Sequence, residues 1–283
     1  MTSKPFRFAL IASQPDQKQW TDSARRAEDL GYSVLVLPDG LRARSPIPAL
    51  ALAAGATTTL HVGTWVLASP LRPPRLAAWD AHTLSDLSGG RFEFGVGTGR
   101  PDVADDAVNI LGQPPLSPAQ RLTQVGQMID ELRALDEQSA AAGPGATGER
   151  TRTPVLVAAG GPKSRALAAA KADTIAVAGA DASREGAAAM VAEVRAAAGD
   201  RAADLEIAAP IFVVGDEAPP WVEQFLRTDM ETLVANDSLR ILRGSPREMA
   251  DELLRRREEI GYSYFAINGA FTEEFAPVIE LLA

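Results

Sequence analysis

The stretch "GGRFEFGVGTGR", residues 89–100, alternates like a strand and then places glycines at Gly95, Gly97 and Gly99. Glycines at a strand end cradle the pyrophosphate of a dinucleotide, or they let something else approach the backbone. A dinucleotide fingerprint needs G-x-G-x-x-G between the first strand and its helix, with an acidic residue about 20 positions later. Here the spacing is G-x-G-x-G, three strand-like runs come first, and Arg100-Pro101 breaks the chain where a phosphate-binding helix should begin. Gly97 and Gly99 fit better at the C-terminal end of a barrel strand, where a planar ligand can lie against backbone without side chains.

Outward from this stretch the chain repeats one rhythm. Upstream, "FRFALIAS" precedes a helical pattern ending at Gly31, "SVLVLP" precedes "SPIPALALAAGATT", and "LHVGTWVLAS" precedes "PPRLAAWDAHTLSDLSGG". Downstream come "SPAQRLTQVGQMIDELRALDEQ", "PVLVAAGG" with "PKSRALAAAKA", "DTIAVAGA" with "SREGAAAMVAEVRAAAG", and "LEIAAPIFVVG" with the helical stretch "PPWVEQFLRTDMETLVAN". "SPREMADELLRRREEIG" then leads to "YSYFAIN" and a last helix. Strands near residues 6, 33, 62, 92, 155, 174, 208 and 263, each followed by a helix, predict an α/β (β/α)8 TIM barrel over residues 1–283, one domain. An open doubly wound sheet is the alternative, because a βα repeat does not show whether the sheet closes. The Gly- and Ala-rich run "SAAAGPGATGERTRT", about residues 138–152, is expected to be a flexible connection.

Composition narrows the function classes. A chain of 283 residues with 46% hydrophobic residues can bury a large core. A net charge of −9 disfavours a nucleic-acid surface, and the arginines of "DELLRRREEI" sit among glutamates as on a solvated, ion-paired helix face. The absence of cysteine excludes disulfides and thiolate chemistry, and no metal site is expected. No apolar run approaches the roughly 20 residues of a membrane helix, and the start lacks a cleavage site, so a cytoplasmic location is expected.

The run "ALAAGATTTLHVGTWVLASPLRPPRLAAWDAHTLSDLSGGRFEFGVGTG", followed by "PPLSPAQRLTQVGQMIDELRAL", resembles the bacterial luciferase-like superfamily of flavin and deazaflavin oxidoreductases. "TPVLVAAGGPKSRALAAAKADTIAVAG" and "GSPREMADELLRRREEIGYSYFAI" resemble later segments of the same pattern. The resemblance implies a barrel, usually dimeric, that holds coenzyme F420 or FMN at its C-terminal mouth. It places cofactor contacts at Asp39, at Ala68 and Ser69 (often a non-prolyl cis peptide in relatives), at Gly97, Thr98 and Gly99, at Gly160, Gly161 and Pro162, and at Ala178, Gly179 and Ala180. The residues support the phosphate loop independently: "AAGGPKS" is a glycine-rich turn opening a helix, whose free N–H groups and dipole favour an anion, and Lys163 in the first turn makes sense beside a phosphate.

Deazaflavin enzymes of this kind commonly carry Asp-His after the second strand, whereas this chain has "PDGL", with Gly40 at the histidine position. His61 starts the third strand and His82 lies in the third helix, so both are expected to be structural. Candidate proton donors at the mouth are Asp39, Arg100, Asp102 and Tyr32, with Asp39 best placed and Arg100 able to orient an anion; Asp39 and Arg100 are the catalytic candidates. Trp65 in the third strand and Trp79 in the third helix are expected in the core between strand and helix, the alternative being a tryptophan that points into the barrel and stacks on the ring. Relatives usually carry an insertion after the fourth helix that shapes the substrate lid, and here that connection is short. The expected activity is F420-dependent hydride transfer to a C=C or C=N of a small-molecule substrate. Alternatives are an FMN-dependent monooxygenase and a non-catalytic flavin-binding barrel. A phosphate-binding isomerase or lyase barrel is a further option, but this chain shows no paired carboxylates or lysine at a strand end.

Overall fold

The computed structural model describes residues 4–12, 16–141, 152–177 and 182–283. Strands and helices alternate from the start: β1 (Arg7–Ile11), α1 (Gln17–Asp29), β2 (Val34–Leu37), α2 (Pro46–Ala56), β3 (His61–Thr64), β4 (Leu67–Ala68), α3 (Pro74–Leu87), β5 (Phe92–Gly97), α4 (Pro101–Asn109) and α5 (Pro118–Ala141). The second half adds β6 (Val155–Ala159), α6 (Pro162–Lys171), β7 (Thr174–Val177), α7 (Arg184–Ala198), β8 (Glu206–Ile211), β9 (Val213–Val214), α8 (Pro220–Leu226), α9 (Met230–Ala235), β10 (Ile241–Leu242), α10 (Pro246–Glu259), β11 (Tyr262–Asn268) and α11 (Thr272–Leu282). The large sheet runs β3-β2-β1-β11-β8-β7-β6-β5-β4, all parallel, and β3 also pairs with β5 through Val62 opposite Phe92. That pairing closes the ring, with β3 and β4 as one interrupted strand, and the open-sheet alternative falls. The fold is the (β/α)8 barrel.

Period two sorts the strands by side-chain size. Outward-facing Phe8, Leu10, Leu35, Phe92, Phe94 and Phe265 join the core beneath the helices, each at most 3% exposed. Burying one such side chain contributes about 2 kcal/mol. The inward positions Ala9, Val34, Leu156, Ala176, Ala208 and Ala266 form a separate, small-residue cluster in the lumen.

Charged side chains close the N-terminal end of that lumen. Arg7 reaches Glu206 at 2.7 Å and also pairs with Glu93, while its guanidinium lies 4.4 Å over the Tyr264 ring. The Tyr264 hydroxyl donates to Glu93 at 3.3 Å and Thr174 Oγ1 donates to Glu206 at 3.0 Å. Burial alone would raise the Glu93 carboxyl, but Arg7 and His61 hold it below the usual range. His61 Nδ1 lies 3.3 Å from Glu93 at this end, and His82 bridges Asp136 and Ser139 on α5 at 3.1 and 2.9 Å. Both histidines thus lie away from the C-terminal mouth.

Three expectations change. The stretch "PPWVEQFLRTDMETLVAN" is two helices, because Arg227 adopts a left-handed φ of 56° that ends α8, and Asp229 caps α9 by accepting the Thr232 N–H at 2.7 Å. The helix that returns to the barrel there is α10, so residues 212–245 form an excursion after the seventh barrel strand. Arg256 is no part of a solvated face: it is 4% exposed and donates to the carbonyls of Leu239 and Ile241, both at 2.8 Å. Most of the short connection after the fourth helix, residues 142–151, lies outside the described residues. Its flanks are tied together, since Asp136 on α5 accepts the Thr153 N–H at 3.0 Å.

Candidate active site at the barrel mouth

At the C-terminal ends of the strands, inward-facing Ile11, Trp65, Val66, Ala158, Pro210 and Asn268 are partly exposed, whereas their outward-facing neighbours are buried. The lumen is therefore open at this end, where barrel enzymes carry their sites. Trp65 belongs to this floor rather than to the strand–helix core, because the break between β3 and β4 turns it inward, edge-on to Tyr264 at 5.7 Å between ring centroids. Trp79 also departs from expectation: it is 62% exposed on the outer face of α3. Tyr32 is not at the mouth. It precedes β2, packs beside Phe275 in the outer layer, and donates to the Thr272 carbonyl at 3.0 Å.

The glycines of the opening stretch now have a cause. A Cβ on Gly95 would sit 1.8 Å from the Thr64 carbonyl oxygen, and one on Gly97 would sit 2.8 Å from Val66. Gly99 takes a φ of +72° beside Ala68 and Pro70. The run lets the β3–β4 segment press against β5, and Thr64 Oγ1 locks the contact by donating to the Gly95 carbonyl at 2.6 Å. The non-prolyl cis bond lies between Trp65 and Val66, three residues before the expected Ala68–Ser69 position.

Asp39 ends β2 with its side chain 3% exposed. It accepts the Ala68 N–H at 3.1 Å and pairs with both Nη atoms of Arg72 at 3.0 and 3.1 Å. Burial raises its carboxyl, against the opposing pull of Arg72 and the amides of Ala68 and Gly40. Gly40 beside it has open space: an added Cβ would meet nothing within 4 Å. Ala68 is 3% and Ser69 0% exposed, and the Ser69 hydroxyl is spent on the Arg121 carbonyl at 3.0 Å, so these two support the wall from behind. Thr98 is half-buried at the end of β5. Arg100 forms a two-point pair with Asp102 at 3.0 and 2.7 Å, and its guanidinium lies 5.1 Å over the Phe225 ring. The contact joins the fourth strand's loop to α8 from the seventh, and α8 thus roofs one side of the mouth.

Gly160, Gly161, Pro162 and Lys163 are exposed where β6 passes into α6. Gly161 is the N-cap, its N–H donating to Ser164 Oγ at 3.0 Å. Pro162 has no N–H, and the amides of Lys163 and Ser164 have no intrahelical acceptor in this turn. Arg165 fixes the turn by donating to the Gly160 carbonyl at 2.8 Å. Ala178, Gly179 and Ala180 lie outside the described residues. Three participants escape a sequence reading: Arg72, which neutralises Asp39; Arg121, whose Nε and Nη1 are buried without an acceptor near Ser69; and Gln124, whose Oε1 is buried without a donor. Arg121 does carry a signal, because "SPAQRLTQ" opens a helix that follows the fourth strand.

A closed parallel barrel with a glycine-capped helix end exposed at its mouth, and buried donors without acceptors nearby, defines a class of (β/α)8 proteins suited to holding an anionic small molecule. The chain belongs to the luciferase-like monooxygenase family, which matches residues 3–227. A Mycobacterium tuberculosis protein named provisionally as a coenzyme F420-dependent oxidoreductase is 28% identical over 177 residues, 56% of this chain and 50% of that one. The chain spans about half the length of the curated relatives it matches. Among solved structures, an F420-dependent secondary alcohol dehydrogenase in complex with an F420–acetone adduct is similar at a TM-score of 0.74 and 19% identity, covering 99% of this chain and 98% of that one. A riboflavin lyase with modified FMN is similar at 0.75 and 16% identity, covering 98% and 92%. At these identities the likeness is one of fold. Among the described residues, no helix is long and apolar enough to cross a membrane.

Proposed function

We propose that this protein is an oxidoreductase that holds coenzyme F420 at the barrel mouth and transfers hydride to a C=C or C=N of a small-molecule substrate. The observation that carries the reading is the helix end at Gly161–Ser164, which offers the free amides of Lys163 and Ser164 and the Lys163 cation beside an open lumen. The match to the mycobacterial F420-dependent relative supports the deazaflavin over FMN.

The residues present fit such a group. Gly160, Gly161, Pro162 and Lys163 would hold its phosphate, together with Ala178, Gly179 and Ala180 as the family resemblance implies. Gly97, Thr98 and Gly99, backed by Ala68 and Ser69, would shape the wall for its ring. When bound, F420 supplies the hydride chemistry, and the protein supplies position and electrostatics. Arg72 and Asp39 hold the β4 turn at a fixed height. Asp39 is the mouth carboxyl proposed to move the proton: burial raises it against the pull of Arg72, whereas Asp102 is lowered by its pair with Arg100 and is exposed. Arg100 orients the roof over the site. Leu76 and Trp79 of α3, 43% and 62% exposed, offer an apolar patch that a homodimer would cover.

Titration of the purified protein with F420 and, separately, with FMN, followed by fluorescence quenching, tests the reading. Binding of F420 without FMN supports it. Binding of FMN alone selects the monooxygenase, the activity in the family's description. Binding with no turnover on any unsaturated substrate selects a non-catalytic barrel, which the open space at Gly40 favours. Binding of neither overturns all three. Asp39→Asn should keep F420 affinity, lose most turnover, and abolish the fall in rate as pH rises through the raised Asp39 pKa.

A further inference from the structure

Under the α8 roof lies a cleft of about 960 Å³, reaching from Arg100 to Val177, Pro210 and Arg227. One wall is aromatic: Phe225 lies 5.4 Å from Phe212 and 6.1 Å from Trp221 between ring centroids. Trp221 and Phe225 stay 38% and 46% exposed, an unusual state for two large aromatics on one seven-residue helix. The charged residues lining the cleft are Arg100, Arg227, Arg240 and Asp102, three cations to one anion, in a chain whose net charge is −9. Asp102 is already committed to Arg100.

Arg227 is the unusual member. It ends α8 with a φ of 56°, a conformation that glycine adopts without penalty and that an arginine enters at a cost. Among the described residues, no acceptor pairs with its guanidinium. The backbone N–H of Arg227 closes α8 on the Glu223 carbonyl, a turn that glycine would make more cheaply, while its side chain is left free to meet a ligand beside the exposed aromatics.

We infer that this cleft binds an apolar, planar molecule carrying one anionic group, such as an aromatic carboxylate, with its body against Phe212, Trp221 and Phe225 and its anion at Arg227. Its identification as the substrate rests on the redox reading above; its binding does not. Planar bodies stack on aromatic faces, and a guanidinium fixes a carboxylate through two parallel donors.

The test uses the full chain and two fluorescent probes: 8-anilinonaphthalene-1-sulfonate, an aromatic anion, and N-phenyl-1-naphthylamine, its uncharged counterpart. The anion should bind about tenfold more tightly. Arg227→Gly should lower affinity for the anion about fivefold and leave the neutral probe unaffected, while Tm holds or rises because the helix end is relieved. Arg227→Gln should show the same selective loss without the backbone change. Phe225→Ala should weaken both probes. Equal affinity for the two probes would overturn the inference. So would an Arg227→Gly protein with full anion affinity, or a Phe225→Ala protein whose only change is in oligomeric state. Neither Arg227 variant should alter F420 affinity, so failure here and failure of the cofactor assignment are read separately.

Discussion

The two ends of the lumen differ in how their polar groups are satisfied. At the N-terminal end, Arg7, Glu93, Glu206, Thr174 and Tyr264 answer one another donor for acceptor. At the mouth, Arg121 buries two nitrogens without an acceptor, and the first amides of α6 face outward. Among the described residues, four buried side-chain atoms have no hydrogen-bond partner: His61 Nδ1, 3.3 Å from Glu93 at the closed end, and the three that belong to Arg121 and Gln124. Most of the unpaired polar atoms lie toward the mouth, as expected when stability and function are placed at opposite ends of one barrel.

The comparison can be broken most forcefully at its closed end. Arg7→Ala leaves Glu93 and Glu206 buried without their cation and should cost about 3–5 kcal/mol in a urea melt, with cofactor affinity retained in the folded fraction. The same cluster sets an acid limit. Because Glu93 has a lowered pKa when folded, its contribution is present above the unfolded carboxylate value of about 4.3 and is lost as pH falls through the folded value. Wild-type stability should therefore decline on acidification, and the decline should be shallower in a folded Arg7→Met protein.

Next in size is Gly95→Ala, whose methyl group collides with the Thr64 carbonyl and should cost about 3 kcal/mol through overpacking. A dinucleotide loop would give the opposite pattern, with stability kept and cofactor lost. Gly161→Asp tests the open end. Space around Gly161 is free and aspartate is a good N-cap, so Tm should hold or rise while cofactor affinity falls about tenfold by charge repulsion. The smallest effect belongs to Arg121→Met: stability should stay within about 1 kcal/mol, because no bond is lost, while cofactor affinity drops a few-fold.

The sequence shows the barrel plainly, since eight strand runs of period two, each feeding a helix, survive any local ambiguity. It also carries the charged lower ring: "FRF", "RFEF" and "LEI" each set one charge between apolar residues at the start of a strand. What it hides are relations across distance or register. The Asp39–Arg72 pair joins residues 33 apart, and the inward turn of Trp65 depends on a break between β3 and β4 that no propensity marks. The split of α8 from α9 hangs on the backbone of Arg227, a residue with no turn signature. The glycine run marks a strand end in the sequence, but what Gly95 and Gly97 accommodate is the protein's own β3–β4 segment pressing against them.

The central claim is that the α6 end and its neighbouring strand ends grip a redox cofactor through its phosphate. A crystal structure of the protein with F420 tests it directly. The account predicts phosphate oxygens within hydrogen-bond distance of the Lys163 and Ser164 amides, with the ring over the open end of the lumen near Trp65. A cofactor seated elsewhere, with the Gly161–Lys163 turn in contact with solvent alone, would contradict it.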